Sequence, residues 1–185
     1  MQIYKKYLSI IIPIYNEEGN ILKLYNKIIS SLEASRLSNY EIIFINDGST
    51  DDSATLLYQI SKKDFNAKII NLVTNQGQTA AISAGIEYSQ GEIIIPMDGD
   101  LQNDPKDIPN LIDKLNEGFD VVSGWRKHRK DKTISRILPS KIANWIVSKI
   151  SGVYLHDYGC SLKAYRSDII KNIKLYGEMH RFIPV

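Results

Sequence analysis

Thiols are almost absent from this chain. Cys160 is the single cysteine among 185 residues, so neither a disulfide framework nor a zinc site built on several thiolates can form. That usage fits a reducing compartment. The three histidines, His128, His156 and His180, show no metal-ligand spacing, and no H-E-x-x-H or Ser-His-Asp pattern occurs. G-x-G-x-x-G and the G-x-x-x-x-G-K phosphate loop are also missing, which removes the main support for a dinucleotide or P-loop fold. Long apolar runs are lacking: residues 10–15 and 93–97 fall far short of the ~20 residues a membrane helix needs. Residues 1–7 are polar and no cleavage-type apolar region follows, so no secretory leader is expected. What remains is ordinary globular material, 43% hydrophobic and 24% charged, which excludes disorder and a simple coiled coil. A chain of this length buries roughly 70% of its unfolded surface, enough for one domain over residues 1–185 without a staple.

The net charge of +2 hides an asymmetry. Residues 126–150 hold eight Lys or Arg against the single acid Asp131, leaving the remainder of the chain net acidic. A basic block on an acidic body points to one localised anionic partner. Within it, residues 132–150 place Ile134, Ile137, Leu138, Ile142, Trp145, Ile146 and Ile150 on one helical face. Such a helix either packs on the core with a solvated basic side or lies on an anionic membrane surface. Nucleic acid is not expected, because exposed interleaved aromatics and any known module pattern are missing.

The first 125 residues alternate between two periods. Short Ile- and Val-rich runs at 7–15, 41–46, 68–73, 92–97 and 120–124 read as strands buried on both faces. Helical patterns at 19–35, 53–63, 78–89 and 107–117 separate them. The alternation predicts an α/β fold with a Rossmann-like, mainly parallel sheet and helices on both faces. Right-handed crossovers gather the strand C-termini on one edge, where ligands bind in such sheets.

The polar residues collect at that edge. Asp98-Gly99-Asp100 follows a buried strand, and two carboxylates at this spacing can share one Mg²⁺ or Mn²⁺ with substrate phosphates. Gln102 adds a neutral oxygen two residues on. An Asp-Gly pair is also a common turn, but here three other polar loops converge on the same edge. Asp47 sits at a buried strand end, where a carboxylate can accept from a nucleobase or a ribose hydroxyl. Ser49, Thr50 and Asp51 are explained by capping the helix that starts near Ser53. Glu17, after Pro13, is either a first-turn acid or a ligand contact. Thr79, Ala80, Ala81, Ser83, Ala84 and Gly85 read as close helix–sheet packing, whereas Gly77 belongs to the edge.

These motifs, together with Asp157-Tyr158-Gly159-Cys160-Ser161-Leu162-Lys163-Ala164-Tyr165-Arg166, resemble glycosyltransferase family two with its GT-A nucleotide-sugar fold. Within the family they resemble the polyisoprenyl-phosphate branch, which includes dolichol-phosphate mannose synthases and bacterial undecaprenyl-phosphate sugar transferases. The resemblance spans essentially the whole chain and leans toward the undecaprenyl-phosphate members. It implies inverting, metal-dependent sugar transfer from a nucleotide sugar, UDP favoured over GDP, to a polyisoprenyl phosphate. Pro13, Tyr15, Glu17, Asp47 and Gly77 would surround the nucleotide sugar. Asp98 would meet the ribose–diphosphate region, and Asp100 and Gln102, with Asp98 beside them, would hold Mg²⁺ or Mn²⁺. Arg126, Arg129 and Arg136 would take the acceptor phosphate and the leaving diphosphate, Arg126 and Arg136 acting in catalysis with Asp100. Asp157 would face the sugar or acceptor as a positioning group or weak base. Members of the branch continue into C-terminal transmembrane helices, which this chain, ending at Val185, does not contain. An enzyme on the cytoplasmic face of the cell membrane is expected, peripheral as this chain stands and integral if transmembrane helices follow, with homo-oligomerisation left open. The alternatives are a soluble family-two enzyme extending a polysaccharide and a non-catalytic nucleotide-binding module.

The basic helix generates a test. Each basic residue near an anionic surface contributes about 1 kcal/mol, screened over a Debye length of ~8 Å at physiological salt. The chain should co-sediment with anionic liposomes at low salt, less at high salt, and less again as Trp145→Glu. Indifference of the wild type to anionic liposomes at low salt would make residues 132–150 a core or oligomer contact.

Overall fold

Isoleucine builds the centre of the molecule. In the computed structural model, which describes residues 7–125, 149, 160–173, 175 and 177, the first strand, β1 (Leu8–Ile14), is buried along almost its whole length. Ile10, Ile12 and Ile14 pack into one apolar cluster and Ile11 into the other. β2 (Tyr40–Asn46) repeats the alternation, Ile42 and Phe44 against Ile43 and Ile45. A strand with both faces covered has no place for polar alternation, which is why these runs are continuously apolar. Each fully buried Ile contributes about 1.5–3 kcal/mol over its exposed state.

The order of elements continues with α1 (Ile21–Ala34) between β1 and β2, then α2 (Ser53–Lys63), β3 (Ala67–Asn71), α3 (Gln78–Tyr88) and β4 (Ile93–Pro96). A 3-10 turn (Pro105–Asp107) leads into α4 (Ile108–Asn116), followed by β5 (Val121–Ser123), β6 (Lys163–Arg166) and the short α5 (Ser167–Ile170). The six strands form one sheet in the order β3-β2-β1-β4-β6-β5. β3, β2, β1 and β4 run parallel, and β6 lies antiparallel to both β4 and β5. Helices α1, α2 and α4 cover one face, and α3 and α5 the other. The expected mainly parallel α/β sheet is present, with one addition: β6 enters between β4 and β5. Its four residues, Lys163 to Arg166, carry too few apolar positions to read as a strand alone.

The packing of α3 is as tight as its small residues predict. A Cβ on Gly85 would fall onto the side chains of Ile11 and Ile45, so only glycine lets α3 come this close. Of residues 132–150 all but Lys149 lie outside the described residues, as do Arg126, Arg129 and Asp157. Among the described residues, no helix is long and apolar enough to cross a membrane.

At the N-terminal end of the strands lies a carboxylate that the apolar pattern did not foretell. Glu41 is wholly buried. Its Oε1 accepts from Ser9 Oγ and from the Gln90 amide, both at 2.6 Å, and its Oε2 accepts from Lys68 Nζ at 2.6 Å. Burial alone pushes this carboxyl up, but the bonds from Lys68, Ser9 and Gln90 outweigh it and hold the group below the ordinary carboxylate range. A depressed folded-state pKa gives stability that is present above the unfolded value, about 4.3, and is lost as pH falls through the folded one. Glu41→Gln should therefore cost about 1–3 kcal/mol at pH 7 in urea unfolding. The variant should also lose less of its remaining stability than the wild type between pH 5 and pH 3. Parallel pH profiles for the two proteins would show that Glu41 does not carry the acid limb.

Candidate active site

Because both faces of the sheet are covered, the chain meets solvent in polar form mainly at the strand ends. β1, β2, β3, β4 and β5 all end on one edge, and antiparallel β6 begins there. The loops after β1, β2, β3 and β4 line one cavity there.

The loops after β1 and β2 are joined by reciprocal hydrogen bonds. Asn16, in left-handed conformation at φ 55°, donates its amide to Ser49 Oγ at 3.1 Å and accepts from the Thr50 amide at 2.8 Å. The Glu17 amide donates to Ser53 Oγ at 3.0 Å, and the Glu18 amide to Asp51 Oδ2 at 3.1 Å. Glu18 returns the contact, its Oε2 accepting from the Asp52 amide at 2.9 Å. The capping expectation for Ser49, Thr50 and Asp51 is thus corrected. Only Asp51 serves the start of α2, through the Ser53 amide at 3.0 Å, while Ser49 and Thr50 bind a loop more than thirty residues away.

Asp47 fastens the third loop. Its side chain is almost fully buried, and its two oxygens accept from the amides of Gln76 at 2.7 Å and Gly77 at 2.9 Å. Asn46 assists from the neighbouring position, donating to Asn71 Oδ1 at 3.0 Å and accepting from the Ser49 amide at 3.1 Å. Gly48, at φ 68°, lets the same loop pass so close that a Cβ would lie 2.6 Å from the Asn75 amide nitrogen. Asp47 still lines the cavity, but its carboxylate is first of all a structural clamp.

The fourth loop carries the paired acids. Asp98 Oδ1 accepts from Gln78 Nε2 at 2.6 Å, and Asp100 Oδ1 accepts from the Gln102 amide at 3.0 Å. Together the loops enclose a cavity of about 320 Å³, near the lower end of the range for small-molecule sites. Pro13, Tyr15, Glu17, Asp47, Gly77, Asp98 and Asp100 all line it, as their placement at the strand ends predicts. Asn75 and Gln78 line it too. The sequence places both in the polar stretch after β3, but nothing local to them marks either side chain as a cavity contact. Gln102 is exposed on the same loop and lies outside the lining.

Among the described residues, the lining holds four carboxylates, Glu17, Asp47, Asp98 and Asp100, and no lysine or arginine. Among the described residues, no group of three His, Cys, Asp or Glu forms a self-sufficient metal cage. Two carboxylates with oxygen neighbours instead suit a hard divalent cation that takes its remaining ligands from water and phosphate. The donor set therefore fits Mg²⁺ or Mn²⁺ shared with a substrate.

Residues 9–174 match the model of the family described as glycosyl transferase family 2. The chain belongs to glycosyl transferase family 2. It is 48% identical over 181 residues to the dodecaprenyl-phosphate galacturonate synthase of Rhizobium johnstonii, covering 96% of this chain and 53% of that protein. It is 39% identical over 181 residues to an undecaprenyl-phosphate 4-deoxy-4-formamido-L-arabinose transferase of Shewanella sediminis, covering 97% and 54%. The chain thus spans about half the length of these curated relatives. Among solved structures, a mannosyltransferase of Pyrobaculum calidifontis, in complex with GDP-Man and Mn²⁺, superposes with a TM-score of 0.66 at 17% identity. That superposition covers 94% of this chain and 48% of that one. The fold of this family 2 chain is accordingly GT-A, as the sheet and its ligand edge indicate.

In this family 2 chain, the Asp47 clamp makes a sharp demand on its side chain. An amide can offer only one of its two ends to an N–H donor. Asp47→Asn should cost about 1–3 kcal/mol in urea unfolding and speed amide exchange at Gln76 and Gly77. Unchanged exchange at both amides would remove the clamp.

Proposed function

We propose that this chain is the catalytic domain of an inverting, metal-dependent glycosyltransferase. It would move a sugar from a nucleoside diphosphate sugar to a polyisoprenyl phosphate, undecaprenyl phosphate favoured, at the cytoplasmic membrane face. The observation that carries the proposal is the convergence of Glu17, Asp47, Asp98 and Asp100 on one cavity whose described lining holds no lysine or arginine. Such a cavity repels an anionic diphosphate unless a divalent cation enters with it, the behaviour expected of a metal–nucleotide site. The relatives' named polyprenyl-phosphate products support the acceptor class.

Asp98 and Asp100 would hold Mg²⁺ or Mn²⁺, with Gln102 reaching it by a local rearrangement. When bound, the cation supplies charge neutralisation for the departing nucleoside diphosphate. Pro13, Tyr15, Glu17 and Gly77 would form the nucleoside wall, Tyr15 offering a half-exposed ring for stacking. The acceptor oxygen is already anionic near neutral pH, so the reaction needs positioning more than a strong base. In-line attack forms the sugar–phosphate C–O bond as the bond to the diphosphate breaks, inverting the anomeric carbon. Arg126, Arg129 and Arg136 are proposed for the acceptor and diphosphate, and Asp157 for positioning near the sugar. A uridine donor is favoured over a guanosine donor, and peripheral attachment would come from the basic segment, with homo-oligomerisation compatible with either.

Asp100 sits on a loop where truncation leaves no apolar void. Asp100→Ala should abolish the Mn²⁺-dependent part of UDP or GDP binding in calorimetry while leaving the urea midpoint within experimental spread. Equal metal-dependent affinity in wild type and variant would take Asp100 out of the site. Tighter Mn²⁺-dependent binding of GDP than UDP would reverse the donor preference.

A further inference from the structure

The loop of paired acids is held at its far end by a residue that neither lines the cavity nor belongs to the acid pair. Leu101, between Asp100 and Gln102, has φ 64°, a left-handed conformation that a branched residue adopts only under constraint. The left-handed conformation is unfavourable for a residue with a Cβ, so something must hold it. Upstream, Asp98 is fixed by Gln78 at 2.6 Å. Downstream, Asn103 is buried, 7% exposed, and its Nδ2 donates to Ser161 Oγ at 2.6 Å. Cys160 Sγ lies 3.9 Å from Asn103 Oδ1, a weak second contact. Asp104 then caps the 3-10 turn by accepting from the Lys106 amide at 3.1 Å, and Ser31 Oγ holds the Pro105 carbonyl at 2.8 Å. Between Asp98 and Asn103 the loop is further tied by the Gln102 amide donating to Asp100 and by Leu101 packing on the core.

Ser161 belongs to the stretch that enters β6, itself pinned where the Gly124 amide donates to the Leu162 carbonyl at 3.0 Å. The Asn103–Ser161 bond spans 58 residues and connects the acid loop to the strand inserted between β4 and β5.

We propose that Asn103 is a positioning residue which, through Ser161, holds the 98–102 loop in the one conformation that presents Asp98 and Asp100 together to a metal-bound diphosphate. The proposal rests on the metal–nucleotide reading of the cavity. Its chemistry would be pre-organisation: a bond that persists without the ligand would keep the constrained Leu101 in place for the cation to bind. Losing the bond would leave the acids intact but let the loop relax, and the cost would appear as weaker metal-dependent binding.

The test uses the whole chain, with Mn²⁺ and UDP or GDP as probes. Asn103→Ala and Ser161→Ala should each weaken Mn²⁺-dependent nucleotide binding by up to about tenfold, the scale of one well-formed hydrogen bond. The double variant should lose no more than either single one, and Ser161→Thr, which keeps the hydroxyl, should restore affinity. Hydrogen exchange in the metal-free protein should quicken across residues 99–103 in both alanine variants and not in Ser161→Thr. A wild type without any metal-dependent nucleotide binding would overturn the functional reading and this inference with it. Normal binding in the wild type, with unchanged affinity and exchange in the alanine variants, would overturn the inference alone. Additive losses in the double variant, or failure of Ser161→Thr to restore affinity, would also overturn it, assigning the losses to general destabilisation.

Discussion

A sheet covered on both faces dictates the rest of this molecule. With Ile10, Ile12 and Ile14 sealed on one side and Ile11, Ile43 and Ile45 on the other, no polar group can work from a strand interior. Chemistry is driven to the ends, and parallel strands bring their C-terminal ends to the same edge. The opposite edge is closed by Glu41, whose carboxylate joins Ser9, Lys68 and the Gln90 amide. One end of the sheet thus uses a carboxylate as mortar between strands, and the other collects carboxylates around open space.

That difference is electrostatic in origin. Glu41 is joined to Lys68, whereas the cavity gathers Glu17, Asp47, Asp98 and Asp100, with no lysine or arginine among its described lining residues. Like charges gathered in one cleft repel each other and raise the affinity for any multivalent cation. Hydrogen bonds keep the cleft from relaxing: Asp47 is tied to the Gln76 and Gly77 amides, Asp98 to Gln78, and Asp100 to the Gln102 amide.

Much of this was legible in the sequence, because it rests on local chemistry. Apolar runs marked β1 to β5, and helical spacing marked α1 to α4 to within a few residues. The convergence of Pro13, Tyr15, Glu17, Asp47, Gly77, Asp98 and Asp100 followed from their places at strand ends. The failures share a cause: the deciding partner was distant in the chain. Ser49 and Thr50 look like helix caps until Asn16 is known to face them. Glu41 looks out of place in a strand until Lys68 and Ser9 meet it, and β6 looks like a loop until β4 and β5 flank it. Gln78 stands in the polar stretch after β3 without a role of its own until its partner, Asp98, twenty residues away, is known.

The mutual stitching of the loops after β1, β2 and β3 has a consequence for how such a site can diversify. Asn16, Glu17 and Glu18 each meet a fixed position in residues 49–53, and Asp47 and Gly48 each meet a fixed position in residues 74–77. A single residue inserted or deleted after β1 or β3 would throw one of these sets out of register, and one after β2 would disturb both. New ligand preferences would then arise here by exchanging side chains at constant loop length. Grafting from a relative would have to carry all three loops together, as one inherited block.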